Sequence, residues 1–206
     1  MPAARALVLD IGGVVVRNAR ELDLDRGIAG TDDERWQAML RHEITEREYW
    51  ALRAREVGAV LGHDDWSTRQ LISWLYHDAD LEFVVDEMVE LMDDARAAGL
   101  PVVALTNDMT DFHGQEWVDA QEWLAHFDVV VDASSTGDLK PAPEAYAHGV
   151  AAAGVPAEEI VYLDDLPVNV AGARAAGLQT IEVEYHDRPA AVAEARRRLG
   201  LIRTES

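Results

Sequence analysis

Residues 160–177 read Ile-Val-Tyr-Leu-Asp-Asp-Leu-Pro-Val-Asn-Val-Ala-Gly-Ala-Arg-Ala-Ala-Gly, and this stretch decides the fold class. Its first part, residues 160–164, is a short apolar run typical of a buried strand. The part from Pro167 onward predicts a helix that begins at a proline and ends before Gly177. A strand followed at once by a helix is half of the unit from which parallel sheets are built.

The same alternation continues on both sides of this stretch. Upstream, the pattern predicts a helix after residue 84, a strand over 101–106, a helix over 117–127, a strand over 128–131 and a helix over 143–153. Downstream, it predicts a strand over 180–185 and a helix over 189–199. Near the N-terminus, apolar residues 5–10 and 14–16 form a β-type run interrupted by Gly12-Gly13. The chain is therefore expected to form an α/β fold, a doubly wound, Rossmann-like parallel sheet.

Residues 17–83 have a different character. They contain four of the six tryptophans and many charges, and their apolar spacing is helical without clear strands. The sequence Thr45-Glu46-Arg47-Glu48 is typical of a capping box that opens a helix. We expect a small all-helical cap domain at 17–83, inserted into an α/β core domain formed by 1–16 and 84–206.

Composition narrows the functional classes. The chain has 206 residues, a formal net charge of −21 and 49% hydrophobic residues, which excludes a disordered chain. A strongly acidic chain is a poor nucleic-acid binder, because phosphate contacts need clustered Lys and Arg. The absence of cysteine excludes disulfides, cysteine zinc sites and thiol nucleophiles. With no apolar run near the ~20 residues of a membrane span, we expect a cytoplasmic protein without membrane partners. The sequence does not indicate the oligomeric state.

Lysine usage is unusual. Of the 18 basic residues, Lys140 is the one lysine and all others are arginine. Two interpretations stay open at this point. The lysine is an accident of composition, or it lies where a compact ammonium is needed and a planar guanidinium would not fit.

Acidic residues follow the predicted strands. Ligands of open parallel sheets bind beyond the carboxyl ends of the strands, and Asp10, Asp164 and Asp165 stand at such ends. Three crowded carboxylates repel one another and require a cation. Oxygen ligands suit Mg²⁺, above all where the ion shares its ligands with a phosphate. The sequence therefore predicts a magnesium site at this edge of the sheet.

Phosphate-binding groups are expected at the same edge. Thr106 and Asn107 follow the second predicted strand and can donate hydrogen bonds to anionic oxygens, and Lys140 adds positive charge. Asp10 is followed by a Gly-Gly turn that leaves it accessible, so it is the natural nucleophile. The set predicts chemistry on a small phosphorylated substrate.

These residues resemble the motifs of the haloacid dehalogenase (HAD) superfamily of hydrolases. The resemblance covers the whole predicted core, and the helical insert has the position of the family's cap. Each motif is weak alone, whereas four in order are specific. The four are Leu-Val-Leu-Asp10-Ile-Gly12-Gly13-Val14, Val-Val-Ala-Leu-Thr106-Asn107, Lys140-Pro141-Ala-Pro143-Glu-Ala-Tyr146, and Val-Tyr-Leu-Asp164-Asp165-Leu-Pro-Val-Asn169.

The resemblance implies roles for the matching residues. Asp10 would be the nucleophile that becomes an aspartyl-phosphate, and Lys140 would neutralise charge on it and on the phosphate. Thr106 and the Asn107 amide would hold the phosphoryl oxygens. Mg²⁺ would be held by the Asp10 and Asp164 carboxylates, the Gly12 carbonyl, and Asp165. Asn169 is expected to brace the last of these loops.

One position departs from the pattern of the family's phosphatases. They usually carry a second aspartate, the general acid and base, where this chain has Gly12. The protein is then a phosphatase whose proton comes from the substrate, from water or from a cap residue such as His42, or whose leaving group needs no proton. His113, which follows the second motif, is a further candidate to lie near the site. Alternatively, the protein is a phosphate-binding pseudoenzyme. A third alternative is a dehalogenase, since those relatives also lack the second aspartate and share the Lys140-to-Tyr146 spacing. We expect a phosphatase.

Overall fold

A computed structural model describes residues 3–19, 21–22, 34–77 and 81–201. Within these ranges the strands and helices alternate over most of the chain. In chain order they are β1 (Ala6–Leu9), α1 (Glu34–Leu40), α2 (Glu46–Val60), α3 (Thr68–Tyr76), α4 (Asp86–Ala97), β2 (Val102–Thr106), α5 (Met109–His113), α6 (Gln115–Asp119), β3 (Val129–Asp132), α7 (Ala133–Thr136), α8 (Pro143–Ala153), β4 (Ile160–Asp164), α9 (Pro167–Ala175), β5 (Gln179–Glu182) and α10 (Arg188–Leu199).

The five strands form one parallel sheet in the order β3-β2-β1-β4-β5. From β1 the chain winds outward to β3, then returns and continues through β4 to β5 on the other side. The direction of winding therefore reverses next to β1, which is where doubly wound sheets bind their ligands. The predicted α/β, Rossmann-like fold class is confirmed.

The core of the sheet lies in its three central strands. Every residue of β1, β2 and β4 is buried, as expected for parallel strands covered by helices on both faces. Helix α8 packs on β2 and β1, and α9 packs on β4 and β5. This packing fixes the carboxyl ends of β1, β2 and β4 side by side.

The chain divides into two compact units. The first contains the sheet and comprises Met1–Arg17, Val84–Asp108 and Gln121–Ser206. The second, which we call the helical unit, comprises Asn18–Phe83 and Met109–Ala120. Residues 109–120, which the sequence predicts to belong to the core, thus cluster with the helices. The Arg69 guanidinium explains this, because it donates to the backbone carbonyls of Thr110 and Asp111.

The predicted helix over 117–127 is wrong. Helix α6 ends at Asp119, and a separate 3-10 turn follows at Glu122–His126. Trp117 stacks on His113 in the helical unit, with ring centroids 3.9 Å apart, whereas Phe127 is buried in the first unit. The apolar residues within 117–127 are spaced as in a single helix, but in the structure they lie in two elements that belong to different units.

Residues 14–16 do not form a strand either. The backbone N–H groups of Val14, Val15 and Val16 all donate to the carbonyl of Ile11, which closes a tight turn directly after Asp10. The predicted capping box at Thr45 is confirmed, with the Thr45 and Glu48 side chains each bonded to the other residue's backbone N–H. Among the described residues, no helix combines the length and the apolar character that crossing a membrane requires.

Candidate active site

Four segments of the first unit meet at the carboxyl edge of the sheet. Asp10 follows β1, and Asp164 ends β4 beside it, since Leu9 pairs with Leu163 in the register of the two strands. Thr106 ends β2 on the other side of β1. Lys140 reaches the same place from the segment between α7 and α8.

The Lys140 ammonium lies between two carboxylates. Its Nζ is 2.9 Å from Asp10 Oδ1 and 2.8 Å from Asp164 Oδ2, and the residue is only 4% exposed. Burial disfavours the ammonium, but the two carboxylates outweigh that effect and raise the pKa of Lys140 above its usual range. The chain's one lysine is thus a permanent positive charge at the sheet edge.

Asp10 is anchored through one oxygen. Oδ1 accepts hydrogen bonds from the backbone N–H of Ile11 at 2.7 Å and from Lys140. Within the described residues no hydrogen bond reaches Oδ2. Burial raises the pKa of the Asp10 carboxyl to about 7; Asp164 adds to the rise and Lys140 opposes it. A fixed carboxylate with one open oxygen is suited to nucleophilic attack.

Asp164 is fully buried and surrounded by donors. Its Oδ1 accepts from the backbone N–H of Leu166 at 2.9 Å and from Asn169 Nδ2 at 3.1 Å. Its Oδ2 accepts from Lys140 and from the Tyr162 hydroxyl. Asn169 therefore braces this loop as expected. Burial raises the pKa of Tyr162 well above its usual value, so the phenol remains a donor.

The Asn107 side chain holds the backbone of Lys140. Its Oδ1 accepts from the Lys140 N–H at 2.8 Å, and its Nδ2 donates to the Lys140 carbonyl at 3.2 Å. The side-chain amide is thereby engaged in positioning the lysine. That Thr106 and Asn107 bind phosphoryl oxygens stays a prediction.

Gly12 and Gly13, which follow Asp10, differ in whether a side chain would fit at their positions. Gly13 has a φ of +72°, and a Cβ there would lie 2.0 Å from Asp165 Oδ2, so only glycine fits. Gly12 lies outside the left-handed region and is exposed. Chain neighbours aside, no described atom of the first unit lies within 4 Å of the place where a Gly12 Cβ would stand.

The carboxylates at this edge fit a divalent cation. Asp10, Asp164 and Asp165 each offer an oxygen, and the three oxygens lie within 4.8 Å of one another. Three carboxylates that meet at one place repel one another, and a divalent cation among them would relieve that repulsion. Hard oxygen donors of this kind are the ligands that Mg²⁺ prefers.

Tyr162 and Arg188 also belong to this edge, although neither is among the residues predicted from the sequence. Tyr162 precedes Asp164 by two residues on β4, so the alternation of a strand puts both side chains on one face. Arg188 is 3% exposed and its Nη2 donates to the Gly13 carbonyl at 3.0 Å. The two candidate histidines, His42 and His113, lie in the helical unit.

A family model described as haloacid dehalogenase-like hydrolase matches residues 4–177, most of the chain. The chain belongs to the HAD-like hydrolases. In this HAD-like hydrolase the match includes all four segments that build the carboxylate and lysine cluster, and Arg188 lies beyond its end.

Two curated relatives are similar to this HAD-like hydrolase. The phosphoserine phosphatase of Thermus thermophilus is 34% identical over 105 residues, which cover 50% of this chain and 41% of that protein. Acyl-CoA dehydrogenase family member 10 of Mus musculus is 26% identical over 202 residues, 90% of this chain and 18% of that protein. The aligned regions thus span less than half the length of either relative.

Solved structures share the fold. A dehalogenase has a TM-score of 0.64 at 18% identity, covering 96% of this chain and 97% of that one. The HAD-hydrolase YfnB from Bacillus subtilis, bound to magnesium, has a TM-score of 0.60 at 18% identity, covering 88% and 87%. L-2-haloacid dehalogenase from Xanthobacter autotrophicus has a TM-score of 0.58 at 19% identity, covering 87% and 77%. At these identities the likeness concerns the fold alone.

Proposed function

We propose that this HAD-like hydrolase is a Mg²⁺-dependent phosphatase that acts on a small phosphorylated metabolite through an aspartyl-phosphate on Asp10. One observation carries the proposal. Asp10, at the edge where ligands of such sheets bind, is held by hydrogen bonds to Oδ1, while Oδ2 accepts none from the described residues. The similarity to a phosphoserine phosphatase supports a phosphorylated substrate.

The proposed role of each residue follows from its charge and its position. Asp10 Oδ2 attacks the phosphorus atom, and the leaving group departs with the electron pair of its bond to phosphorus. Lys140 is fixed beside Asp10 before the substrate arrives, so its charge stabilises the negative phosphoryl oxygens without reorganisation. Thr106, at the end of β2, is the proposed side-chain donor to those oxygens.

The proposed magnesium ion would be held by Asp10, Asp164, Asp165 and the carbonyl of Gly12. When bound, it supplies positive charge that lets an anionic phosphate approach a cluster of carboxylates. The spacing of the three carboxylate oxygens supports this ligand set. The magnesium bound to the Bacillus subtilis neighbour supports the choice of ion.

Dehalogenation is the second candidate, and one observation favours it. Lys140, Tyr162 and Asn169 already satisfy both oxygens of Asp164 without any cation. Several structural neighbours are dehalogenases. Against this, Asp165 adds a carboxylate at the edge of the sheet, and it would repel the carboxylate of a haloacid substrate. A phosphatase that binds a cation explains the clustering of three carboxylates better.

The test measures phosphate release from a panel of phosphate esters, with Mg²⁺ and with excess EDTA. We expect release that requires Mg²⁺ and is lost in Asp10→Asn, which keeps the size of the side chain but removes the nucleophilic charge. Asp93→Asn, at an exposed position, is the matched control and retains activity. Halide release from 2-chloropropionate without metal would establish the dehalogenase instead. Metal and phosphate binding without release would make the protein a pseudoenzyme.

A further inference from the structure

The place two residues after Asp10 holds no proton-transfer group. Gly12 has no side chain, and apart from its chain neighbours nothing described in the first unit lies within 4 Å of where its Cβ would stand. The described polar side chains at this edge have partners or proposed roles. Lys140 bridges two carboxylates, and the Tyr162 hydroxyl donates to Asp164. Asp165 is a proposed ligand of the cation, and Thr106 is a proposed donor to the phosphate. Among the described residues of the first unit, the site thus offers a nucleophile, positive charge and cation ligands, but no further side chain to carry a proton.

The proposed reaction has two steps, transfer of the phosphoryl group to Asp10 and hydrolysis of the phosphorylated Asp10. The two steps depend to different degrees on a proton-transfer group. In the first, Asp10 bonds to phosphorus and the leaving oxygen takes the electron pair of the broken bond. An alkoxide must then be protonated, whereas a carboxylate or a phenolate is stable as the anion. In the second, a water oxygen bonds to phosphorus, Asp10 departs as a carboxylate, and the water must lose a proton. Whatever the substrate, no described residue of the first unit is left to act as the base of this second step.

On the basis of the proposed phosphatase function, we infer that this protein acts on acyl or aryl phosphates and that hydrolysis of the phosphorylated Asp10 limits its turnover. Such substrates transfer their phosphoryl group without a general acid. Solvent water then accepts the proton of the attacking water in the slow second step. The phosphorylated protein consequently accumulates during turnover, and alkyl phosphates react slowly already in the first step.

Rapid-quench kinetics with 4-nitrophenyl phosphate and Mg²⁺ test the inference. We expect a burst of nitrophenolate that approaches one equivalent per chain, followed by a slower linear phase. Acid-quenched protein should carry one phosphoryl group on the peptide that contains Asp10. Glycerol phosphate should react with a kcat/KM lower by about 10²–10⁴, the range that a positioned general acid contributes.

Two variants of Gly12 distinguish the effect of a proton-transfer group from the effect of a larger side chain. The space beside Gly12 admits a side chain, and its backbone is not left-handed. Gly12→Asp installs a carboxyl group, which should remove the burst and raise the turnover of the aryl phosphate about 10-fold. Gly12→Asn has the same shape without the titratable group, so its rates measure the effect of bulk at this position, and the gain of Gly12→Asp is taken relative to it. Thermal melts of both variants verify that they fold.

The outcomes distinguish this inference from the proposed function. A linear time course in the wild type, with aryl and alkyl phosphates hydrolysed equally well, would overturn the inference and leave the phosphatase in place. It would mean that another group supplies the proton. An equal gain in Gly12→Asn and Gly12→Asp would overturn it as well. Failure to release phosphate or to label Asp10 with any ester would overturn the proposed function itself.

Discussion

The side chain of Asn107 pairs with the backbone of Lys140 through two hydrogen bonds, one accepted by Oδ1 and one donated by Nδ2. This pairing joins the segment after β2 to the segment before α8, 33 residues further along the chain. It fixes the backbone from which the lysine reaches Asp10 and Asp164. The position of the one ammonium in the site therefore depends on a neutral amide.

Asn107→Ala should reduce kcat by about 10- to 100-fold, because a displacement of a catalytic group by about 1 Å has effects of this size. Asn107→Asp keeps the acceptor but sets a carboxylate oxygen against the Lys140 carbonyl, so its kcat should also fall below that of the wild type. Steady-state kinetics on the best substrate measure both values. Unchanged kcat in Asn107→Ala would show that Lys140 holds its position without the amide.

Lys140→Arg should abolish most of the activity, with a loss of at least about 100-fold in kcat/KM. The site encloses a compact ammonium that is 4% exposed, and a planar guanidinium has a different shape and hydrogen-bond geometry. Lys140→Met should also lower the free energy of unfolding by about 3–5 kcal/mol in metal-free buffer, since it leaves buried carboxylates without their partner. Urea titrations measure this loss. Wild-type activity in Lys140→Arg would contradict the need for a compact cation.

Arg188→Gln should destabilise the protein by about 1–3 kcal/mol, because it removes a buried charged donor from the Gly13 carbonyl. Gly13 lies against Asp165, so the affinity for Mg²⁺, measured by calorimetry, should fall as well. Arg174→Gln, at an exposed position, is the matched control and should behave like the wild type. Equal melting temperatures and equal Mg²⁺ affinities of the two variants would refute a positioning role for Arg188.

His113 should make the helical unit sensitive to acid. Burial, together with the neighbouring His77, lowers the pKa of His113 to about 3, from an ordinary value of 6.5. The unfolded chain therefore binds the proton first, and the stability present above pH 6.5 is lost as the pH falls from 6.5 toward 3. One such proton corresponds to about 1.4 kcal/mol per pH unit. His113→Phe keeps a ring against Trp117 and should show a shallower acid dependence in urea titrations; an identical dependence would contradict the assignment.

Local signals predicted most of the fold. The strand Ile160–Asp164 and the helix Pro143–Ala153 have the bounds that the sequence indicates, because apolar runs, prolines and glycines mark their ends directly. The grouping of residues 109–120 with the helical unit was not predictable in this way. It depends on the Arg69 guanidinium, which is 41 residues away from its carbonyl partner Thr110 in the chain.

In the candidate site too, some residues were predictable from local sequence signals and others were not. Asp10, Asp164 and Lys140 were predictable because they follow strands or stand out in composition. The sequence carried a usable signal for Tyr162, its spacing of two residues from Asp164 on a strand. It carried none for Arg188, whose contact with Gly13 spans 175 residues. Long-range contacts of buried polar groups are set by the folded topology and not by local spacing.

A crystal structure of the protein with Mg²⁺ and fluoroberyllate would show whether Asp10 is the nucleophile, because fluoroberyllate binds a carboxylate in the place of a phosphoryl group. We expect beryllium bonded to an oxygen of Asp10, with the cation in contact with Asp10 and Asp164. We also expect Lys140 beside a fluorine atom. An Asp10 side chain that turns away from the sheet edge, with no cation among the carboxylates, would contradict this role of Asp10.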